Sequence, residues 1–121
     1  MDMIRTILTA ATLITGATMA NAQDTTAAVV EIATFDFAEG VTAKAFAAVD
    51  ARVEAEHVSQ QPGFVSRETG ATDTGWVAIV RWETAEDAQA SMDSFANAPA
   101  AADFMGMMNA ETMRMTRYDI N

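Results

Sequence analysis

The sequence contains no cysteine, so no disulfide bond can stabilise the fold. An oxidising compartment remains compatible with such a chain, because there is no thiol to pair wrongly. A domain of about 100 residues buries roughly 60–65% of the surface that its unfolded chain exposes. Its core is therefore modest, and association with a second copy would enlarge it.

Basic residues are also scarce. Seven lysines and arginines stand against 17 aspartates and glutamates, which gives a formal net charge of −10. Nucleic acids and anionic membrane surfaces are bound by clustered positive charge. The composition therefore argues against both partners, and we interpret the acidity as a well-solvated surface.

Histidine occurs once, as His57. A zinc site needs several protein ligands, and no carboxylate or second histidine stands near His57 at the spacing of a zinc-binding helix. The sequence also lacks a Ser-His-Asp set, a phosphate-binding loop and a glycine-rich dinucleotide fingerprint. We therefore predict neither a metal ion nor an organic cofactor.

The first 22 residues have the features of a secretory signal peptide. Arg5 precedes a mostly apolar run over residues 7–19, and the small-x-small tripeptide Ala-Asn-Ala follows at residues 20–22. Cleavage before Gln23 would leave a flexible polar segment, residues 23–27, and a domain over residues 28–121. We expect an exported protein, periplasmic or secreted. No stable membrane insertion is expected after cleavage, because the apolar run is too short to span a bilayer.

The mature chain alternates between strand-like and helix-like periodicity. Thr42 and Thr84 are suited to cap helices, and Pro62-Gly63 interrupts the chain between a helix and a strand. The predicted strands are residues 28–37, 64–69, 76–82 and 111–120, and the predicted helices are residues 43–59, 85–96 and 100–108.

This order is β-α-β-β-α-β with a short extra helix before the last strand, which is typical of an α+β fold of the ferredoxin-like type. The first and third strands carry apolar side chains on both faces, whereas the helices can cover only one face. Packing two sheets face to face would bury the face that the helices leave uncovered. We therefore predict a homodimer in which two sheets form a shared barrel.

Three short motifs resemble the antibiotic biosynthesis monooxygenase-like (ABM) domain, a member of the dimeric α/β-barrel superfamily. The motifs are Pro62-Gly63-Phe64 before a hairpin, Trp76-Val77-x-Ile79-Val80-x-Trp82 in its second strand, and Thr84-x-x-Asp87-Ala88 at the start of a helix. Their order and spacing carry the resemblance, which extends over about residues 29–120.

The resemblance implies a substrate pocket between sheet and helices. The family includes cofactor-independent oxygenases of phenolic or quinol substrates, in which a Trp, an Asn and sometimes a His or Tyr contact the substrate. Trp82 matches that Trp, but Ala78 stands where the Asn is expected. The segment of residues 100–105 lacks the histidine of the haem-degrading members, so the resemblance does not extend to haem degradation.

Four residues are candidates for the catalytic site. If the protein is an oxygenase, Trp82 would position the ring, His57 or Tyr118 would handle the proton, and Arg81 would stabilise an oxyanion. Structural alternatives exist for two of them. An aromatic residue on an interior strand often belongs to the core, and a histidine at the C-terminal end of a helix can be a partly exposed residue that complements the helix dipole.

Arginine is concentrated in the predicted strands, at positions 67, 81, 114 and 117. Such a set could form an internal site for an anionic ligand such as a carboxylate. The alternative is cross-strand pairing with acidic residues, for which the candidates are Glu31, Asp36, Glu68 and Asp119.

Methionine is concentrated near the C-terminus, at positions 92, 105, 107, 108, 113 and 115. A thioether cluster in an exported protein could bind Cu(I). The helical spacing of Met105 and Met108 and the strand spacing of Met113 and Met115 favour core packing instead.

The sequence leaves two main functional hypotheses. The protein is either a cofactor-free monooxygenase of a small aromatic or quinol substrate, or a non-catalytic protein that binds a small aromatic or carboxylate ligand on the same fold. A third hypothesis, a purely structural dimer, requires methionine and phenylalanine side chains to fill the pocket and leave no cavity beside Trp82.

Overall fold

The computed structural model describes residues 27–121. The predicted signal peptide, residues 1–22, lies outside these residues, as does nearly all of the predicted polar segment 23–27. None of the helices in residues 27–121 combines the length and the apolar character needed to cross a bilayer.

The described chain contains four strands and three α-helices, in the predicted order. The strands are β1 (Val29–Phe37), β2 (Phe64–Ala71), β3 (Gly75–Trp82) and β4 (Met108–Asp119), and the helices are α1 (Ala43–Glu56), α2 (Ala85–Ser94) and α3 (Ala101–Gly106). Short 3-10 turns, Val58–Gln60 and Phe95–Asn97, follow α1 and α2.

The strands form one antiparallel sheet in the order β2-β3-β1-β4. β1 and β3 pair without a register shift from Val29 opposite Trp82 to Asp36 opposite Gly75. The β1–β4 pairing has one irregularity, where Thr112 Oγ1 accepts a hydrogen bond of 2.8 Å from the Asp36 amide. This is the ferredoxin-like arrangement, so the predicted fold class is confirmed. The barrel shared by two copies stays a prediction.

The two largest differences from the predicted boundaries lie at the end of α1 and at the start of β4. α1 ends at Glu56 rather than Ser59, because the chain tightens into a 3-10 turn ahead of Pro62. β4 begins at Met108 rather than Glu111, and the third helix correspondingly ends at Gly106. Met108 pairs with Phe37 and is buried, so long-range pairing rather than local helical spacing decides its conformation.

Both predicted helix caps form. Thr42 Oγ1 accepts a hydrogen bond of 3.1 Å from the Ala45 amide, and Thr84 Oγ1 accepts one of 3.0 Å from the Asp87 amide. Such a cap typically contributes about 1 kcal/mol. Glu86 and Asp87 also place two carboxylates in the first turn of α2, where the helix dipole favours negative charge.

An aromatic core fills one end of the space between the sheet and the helices. The ring centroid of Phe46, on α1, lies 5.1 Å from that of Trp76, 5.3 Å from that of Phe35 and 5.0 Å from that of Phe104. The rings meet at steep angles, the geometry that aromatic pairs prefer. Trp76 therefore belongs to the core.

No helix in residues 27–121 covers the opposite face of the sheet. Alternation along β1 and β3 places Val30, Ile32, Val77 and Ile79 on this face, and each remains half-buried in a single chain. We call these four residues the uncovered apolar face.

Candidate functional site

A cavity opens where the aromatic core ends. Ala33 of β1 and Ala78 of β3 lie opposite each other in the sheet, and their small side chains leave space above them. Phe35 and Trp76 form the next pair toward the aromatic core, whereas Trp82 lies toward the other end of the sheet. The resulting cavity has a volume of about 380 Å³.

The cavity wall is almost entirely apolar. The sheet contributes Ala33, Phe35, Ala78, Val80 and Trp82, the helical layer Val53, Val58, Met92, Phe95, Phe104 and Met105, and β4 Met108, Ala110, Met113 and Met115. The polar residues of the wall, in the described chain, are Glu31, Arg67 and Ser91. An apolar cavity with a few polar groups is typical of a small-molecule site. The pocket is therefore not filled by its own side chains, which the purely structural hypothesis required.

Trp82 is the predicted site residue that lies in the cavity wall. It is 1% exposed, and its ring packs edge-on against Phe64 at a centroid distance of 5.9 Å. Its buried Nε1–H donates no hydrogen bond within residues 27–121. The same is true of Trp76, which is not part of the cavity wall. The unpaired indole N–H is therefore not by itself the mark of a ligand contact.

His57 lies at the C-terminal end of α1, beside the cavity wall rather than in it. Its Nε2 donates a hydrogen bond of 3.1 Å to the Ser91 carbonyl, and its Nδ1 accepts one of 3.4 Å from Gln61 Nε2. The partial exposure that we expected is wrong, since His57 is only 6% exposed. Both ring nitrogens are engaged in contacts that join α1 to its neighbours, so this position gives the predicted proton-handling role no support.

Arg81 and Tyr118 lie on the other face of the sheet. Arg81 stands between Val80 and Trp82, both in the cavity wall, so the alternation along β3 directs it away from the cavity. Tyr118 is the β4 partner of Val30 and is 53% exposed. Within one chain the four predicted residues therefore do not form a single site.

Arg67 contributes to the cavity wall, but its charge is compensated. It donates two hydrogen bonds to the Asp50 carboxylate, at 2.7 and 2.8 Å, and one of 2.9 Å to Glu54 Oε1. Burial alone would lower the pKa of the guanidinium, but the hydrogen bonds and charges of Asp50 and Glu54 outweigh it and raise that pKa. The carboxylates belong to α1 rather than to a neighbouring strand, and they occupy the guanidinium that an anionic ligand would need.

Glu31 is the acidic residue of the cavity wall, and it was not among the predicted site residues. Arg117 Nε donates a hydrogen bond of 2.7 Å to its Oε2 from the paired position on β4. Cross-strand pairing, the alternative that we weighed for the strand arginines, is therefore confirmed for Arg117. The available signal in the sequence was an acidic residue on an otherwise apolar strand face.

Methionines form much of the cavity wall. The core packing that we predicted is found for Met108, which belongs to the core cluster, and for Met107 and Met113, which pack against it. Met108 is buried, but Met92 and Met105 are 38% and 47% exposed. Because thioether side chains are flexible and polarizable, such a wall can adapt to ligands of different shape. Among residues 27–121, no group of three or more His, Cys, Asp and Glu residues comes together as a metal site would require.

The topology and the cavity together define a class: a ferredoxin-like α+β domain with an apolar cavity between its sheet and its helices. The sequence matches no family model and no curated protein. Solved structures do match. SnoaB, a cofactor-independent oxygenase from Streptomyces nogalater, gives a TM-score of 0.63 at 22% sequence identity, over 78% of this chain and 94% of that chain.

Two further solved structures share the fold. The monooxygenase ActVA-Orf6 of Streptomyces coelicolor, in complex with nanaomycin D, gives a TM-score of 0.59 at 19% identity, over 78% of this chain and 88% of that chain. A protein of unknown function from Nitrosomonas europaea gives a TM-score of 0.57 at 10% identity, over 78% of this chain and 90% of that chain. The fold of this chain is therefore that of ABM-type proteins, as its motifs predicted. At these identities the similarity establishes the fold alone.

Proposed function

We propose that this protein is an exported, homodimeric, cofactor-independent monooxygenase of the ABM type that acts on a small aromatic or quinol substrate. The observation that carries the proposal is the apolar cavity of about 380 Å³ beside Trp82, on the fold shared with SnoaB and ActVA-Orf6. Trp82 lies in the wall of this cavity, and an indole there is suited to contact an aromatic ring of the substrate.

The chemistry of such a reaction fits an apolar cavity. Without a cofactor, both reducing electrons must come from the substrate. One atom of O2 then enters the substrate, and the other leaves as water together with two substrate hydrogens. This requires an electron-rich ring such as a quinol. A largely apolar wall also limits the contact of a reactive intermediate with water.

Export and dimerisation are parts of the proposal that depend on separate features. Export is supported by the signal-peptide pattern of residues 1–22. Dimerisation is supported by the uncovered apolar face, because one chain leaves these side chains in contact with water. Of the predicted catalytic residues we assign only Trp82 to the site, since the positions of His57, Arg81 and Tyr118 do not support their roles.

Oxygen uptake tests the proposal. The protein comprising residues 23–121 would be incubated with a panel of quinols and polyphenols, without added metal or flavin, and the oxygen consumed would be measured. We expect Trp82→Phe to lower uptake tenfold or more, which corresponds to about 1.4 kcal/mol of activation barrier. Trp76→Phe is the matched control. It also removes a buried indole N–H that has no partner in the described chain, but from outside the cavity wall. Equal losses in both variants would show a general effect on the fold.

The second candidate function is non-catalytic binding of a small aromatic ligand. It is favoured by the finding that only one of the four predicted catalytic residues lines the cavity. No uptake by the wild-type protein with any member of the panel would support it. The same compounds should then raise the melting temperature, because a ligand at 100 times its Kd stabilises the folded state by about 2.7 kcal/mol.

A further inference from the structure

Among the polar groups of the cavity wall, which the oxygenase proposal leaves unused, Glu31 provides a carboxylate. This residue is 8% exposed. Its Oε2 accepts the hydrogen bond from Arg117, whereas its Oε1 accepts none within residues 27–121. Because an ionised carboxylate has about four acceptor positions, Glu31 can accept a further hydrogen bond.

The carboxylate is held in place from its other side. Arg117 Nη1 donates a hydrogen bond of 2.7 Å to Gln89 Oε1, and Gln89 Nε2 donates one of 2.7 Å to Asp93. This chain of contacts links Glu31 on β1 to Arg117 on β4 and to Gln89 and Asp93 on α2. A positioned acceptor loses little conformational entropy when a ligand donates to it.

The charges of the cavity wall favour a donor over an anion. Arg67, the cationic residue of the wall, is engaged by Asp50 and Glu54. Arg117 is likewise engaged, by Glu31 and Gln89, so a ligand carboxylate would lie beside Glu31 without a guanidinium left free to pair with it. A ligand hydroxyl would instead form a charge-assisted hydrogen bond, which is stronger than one between neutral groups.

We propose that Glu31, positioned by Arg117, is the hydrogen-bond acceptor that selects uncharged, hydroxylated aromatic ligands for this cavity and disfavours carboxylates. The inference rests on the proposed function, since it specifies the substrate class of the same cavity. A ligand without the hydroxyl would cover the carboxylate and leave it without that partner, which is costly.

Equilibrium dialysis of the purified protein with three probes tests this assignment: 2-naphthol, its methyl ether 2-methoxynaphthalene, and 2-naphthoate. We expect the wild-type protein to bind 2-naphthol at least about tenfold more tightly than either of the others. Glu31→Gln should reduce the preference over the methyl ether to about threefold or less, because the charged acceptor is gone.

Arg117→Gln is the matched control. It breaks the same ion pair but keeps the carboxylate, so part of the preference for the hydroxyl should remain, reduced because the carboxylate is no longer held by Arg117. A purely structural role of the pair would instead lower the affinity for all three probes alike in both variants. If Glu31→Gln alone does not fold, the double variant Glu31→Gln/Arg117→Met avoids leaving a partly buried cation unpaired.

Equal affinities for 2-naphthol and its methyl ether in the wild-type protein would overturn the inference. A preference for 2-naphthol that survives the loss of Glu31 would also overturn it. So would the finding that none of the three probes binds. Oxygen uptake reports separately on the proposed function. Hydroxyl-selective binding without oxygen uptake would support the role of Glu31 and contradict the monooxygenase proposal. Oxygen uptake together with a hydroxyl preference that does not depend on Glu31 would support the monooxygenase proposal and contradict the role of Glu31.

Discussion

Arg67 on the edge strand β2 and Asp50 on α1 form a buried pair joined by two hydrogen bonds. Nη2 lies 2.7 Å from Oδ1 and Nη1 lies 2.8 Å from Oδ2. The two side chains are 4% and 6% exposed. The pair fixes α1 to β2, and with them one side of the cavity.

Removing Arg67 should therefore destabilise the fold strongly. Arg67→Met leaves the Asp50 carboxylate buried without its main partner, for which we expect a loss of about 3–5 kcal/mol in the free energy of unfolding. Urea denaturation measures this loss. Arg52→Met is the control, because Arg52 pairs with Glu56 at the surface, where such contacts contribute about 0–1 kcal/mol.

The double variant Arg67→Met/Asp50→Leu should recover much of the loss, since it removes both buried charges. Equal small effects of Arg67→Met and Arg52→Met would contradict the role given to the buried pair. Arg67 itself should add no pH dependence near neutrality. Stability from a raised pKa is fully present below the unfolded value and is lost only as the pH rises through the folded one.

Filling the cavity should weaken ligand binding without unfolding the protein. Ala78→Leu places a larger side chain into the space opposite Ala33, so we expect the affinity for an aromatic ligand to fall tenfold or more, about 1.4 kcal/mol. The free energy of unfolding should change by less than about 1.5 kcal/mol, because the space is already present. Ala90→Leu adds the same atoms to the exposed surface of α2 and should leave affinity unchanged. Unaltered affinity in Ala78→Leu would place the ligand elsewhere.

The uncovered apolar face predicts the oligomeric state. Sedimentation at micromolar concentration should show a dimer for the wild-type protein and a monomer for Ile79→Lys, which would bury an unpaired cation in the proposed interface. Ala90→Lys introduces the same charge on α2 and should remain dimeric. A wild-type monomer under these conditions would remove the shared barrel from the proposal.

The two glycines with positive φ offer a comparison of backbone strain with steric conflict. Gly40 and Gly63 have φ of 81° and 82°, but a Cβ added at Gly40 meets no atom within 4 Å, whereas one at Gly63 collides with the Asp87 side chain. Gly40→Ala should cost about 1–2 kcal/mol from the left-handed conformation alone. Gly63→Ala should cost more when measured by urea denaturation. Similar losses of stability in Gly40→Ala and Gly63→Ala would show that the Asp87 side chain moves aside freely. If it does not, the double variant Gly63→Ala/Asp87→Ala should recover the part of the loss that comes from the steric conflict.

The local features of this protein could be predicted from its sequence. Thr42 and Thr84 cap their helices, and Pro62-Gly63 ends the first helical region, because such effects depend on residues within a few positions of each other. The alternation of β3 likewise placed Trp82 and Ala78 on one face and Arg81 on the other, since successive strand residues point to opposite sides.

Contacts between distant residues could not be predicted in the same way. The cavity exists because the sheet register places Ala33 opposite Ala78. Glu31 in its wall has an ion-pair partner because β4 presents Arg117 at the paired position. Arg67 forms its hydrogen bonds to Asp50 only because α1 packs across β2. The sequence by itself determined the elements, their caps and the faces of the strands, since these depend on near neighbours and on the chain's own periodicity. The tertiary structure alone decided which side chains surround the cavity and which charges are compensated, because these depend on register and packing between segments far apart in the chain.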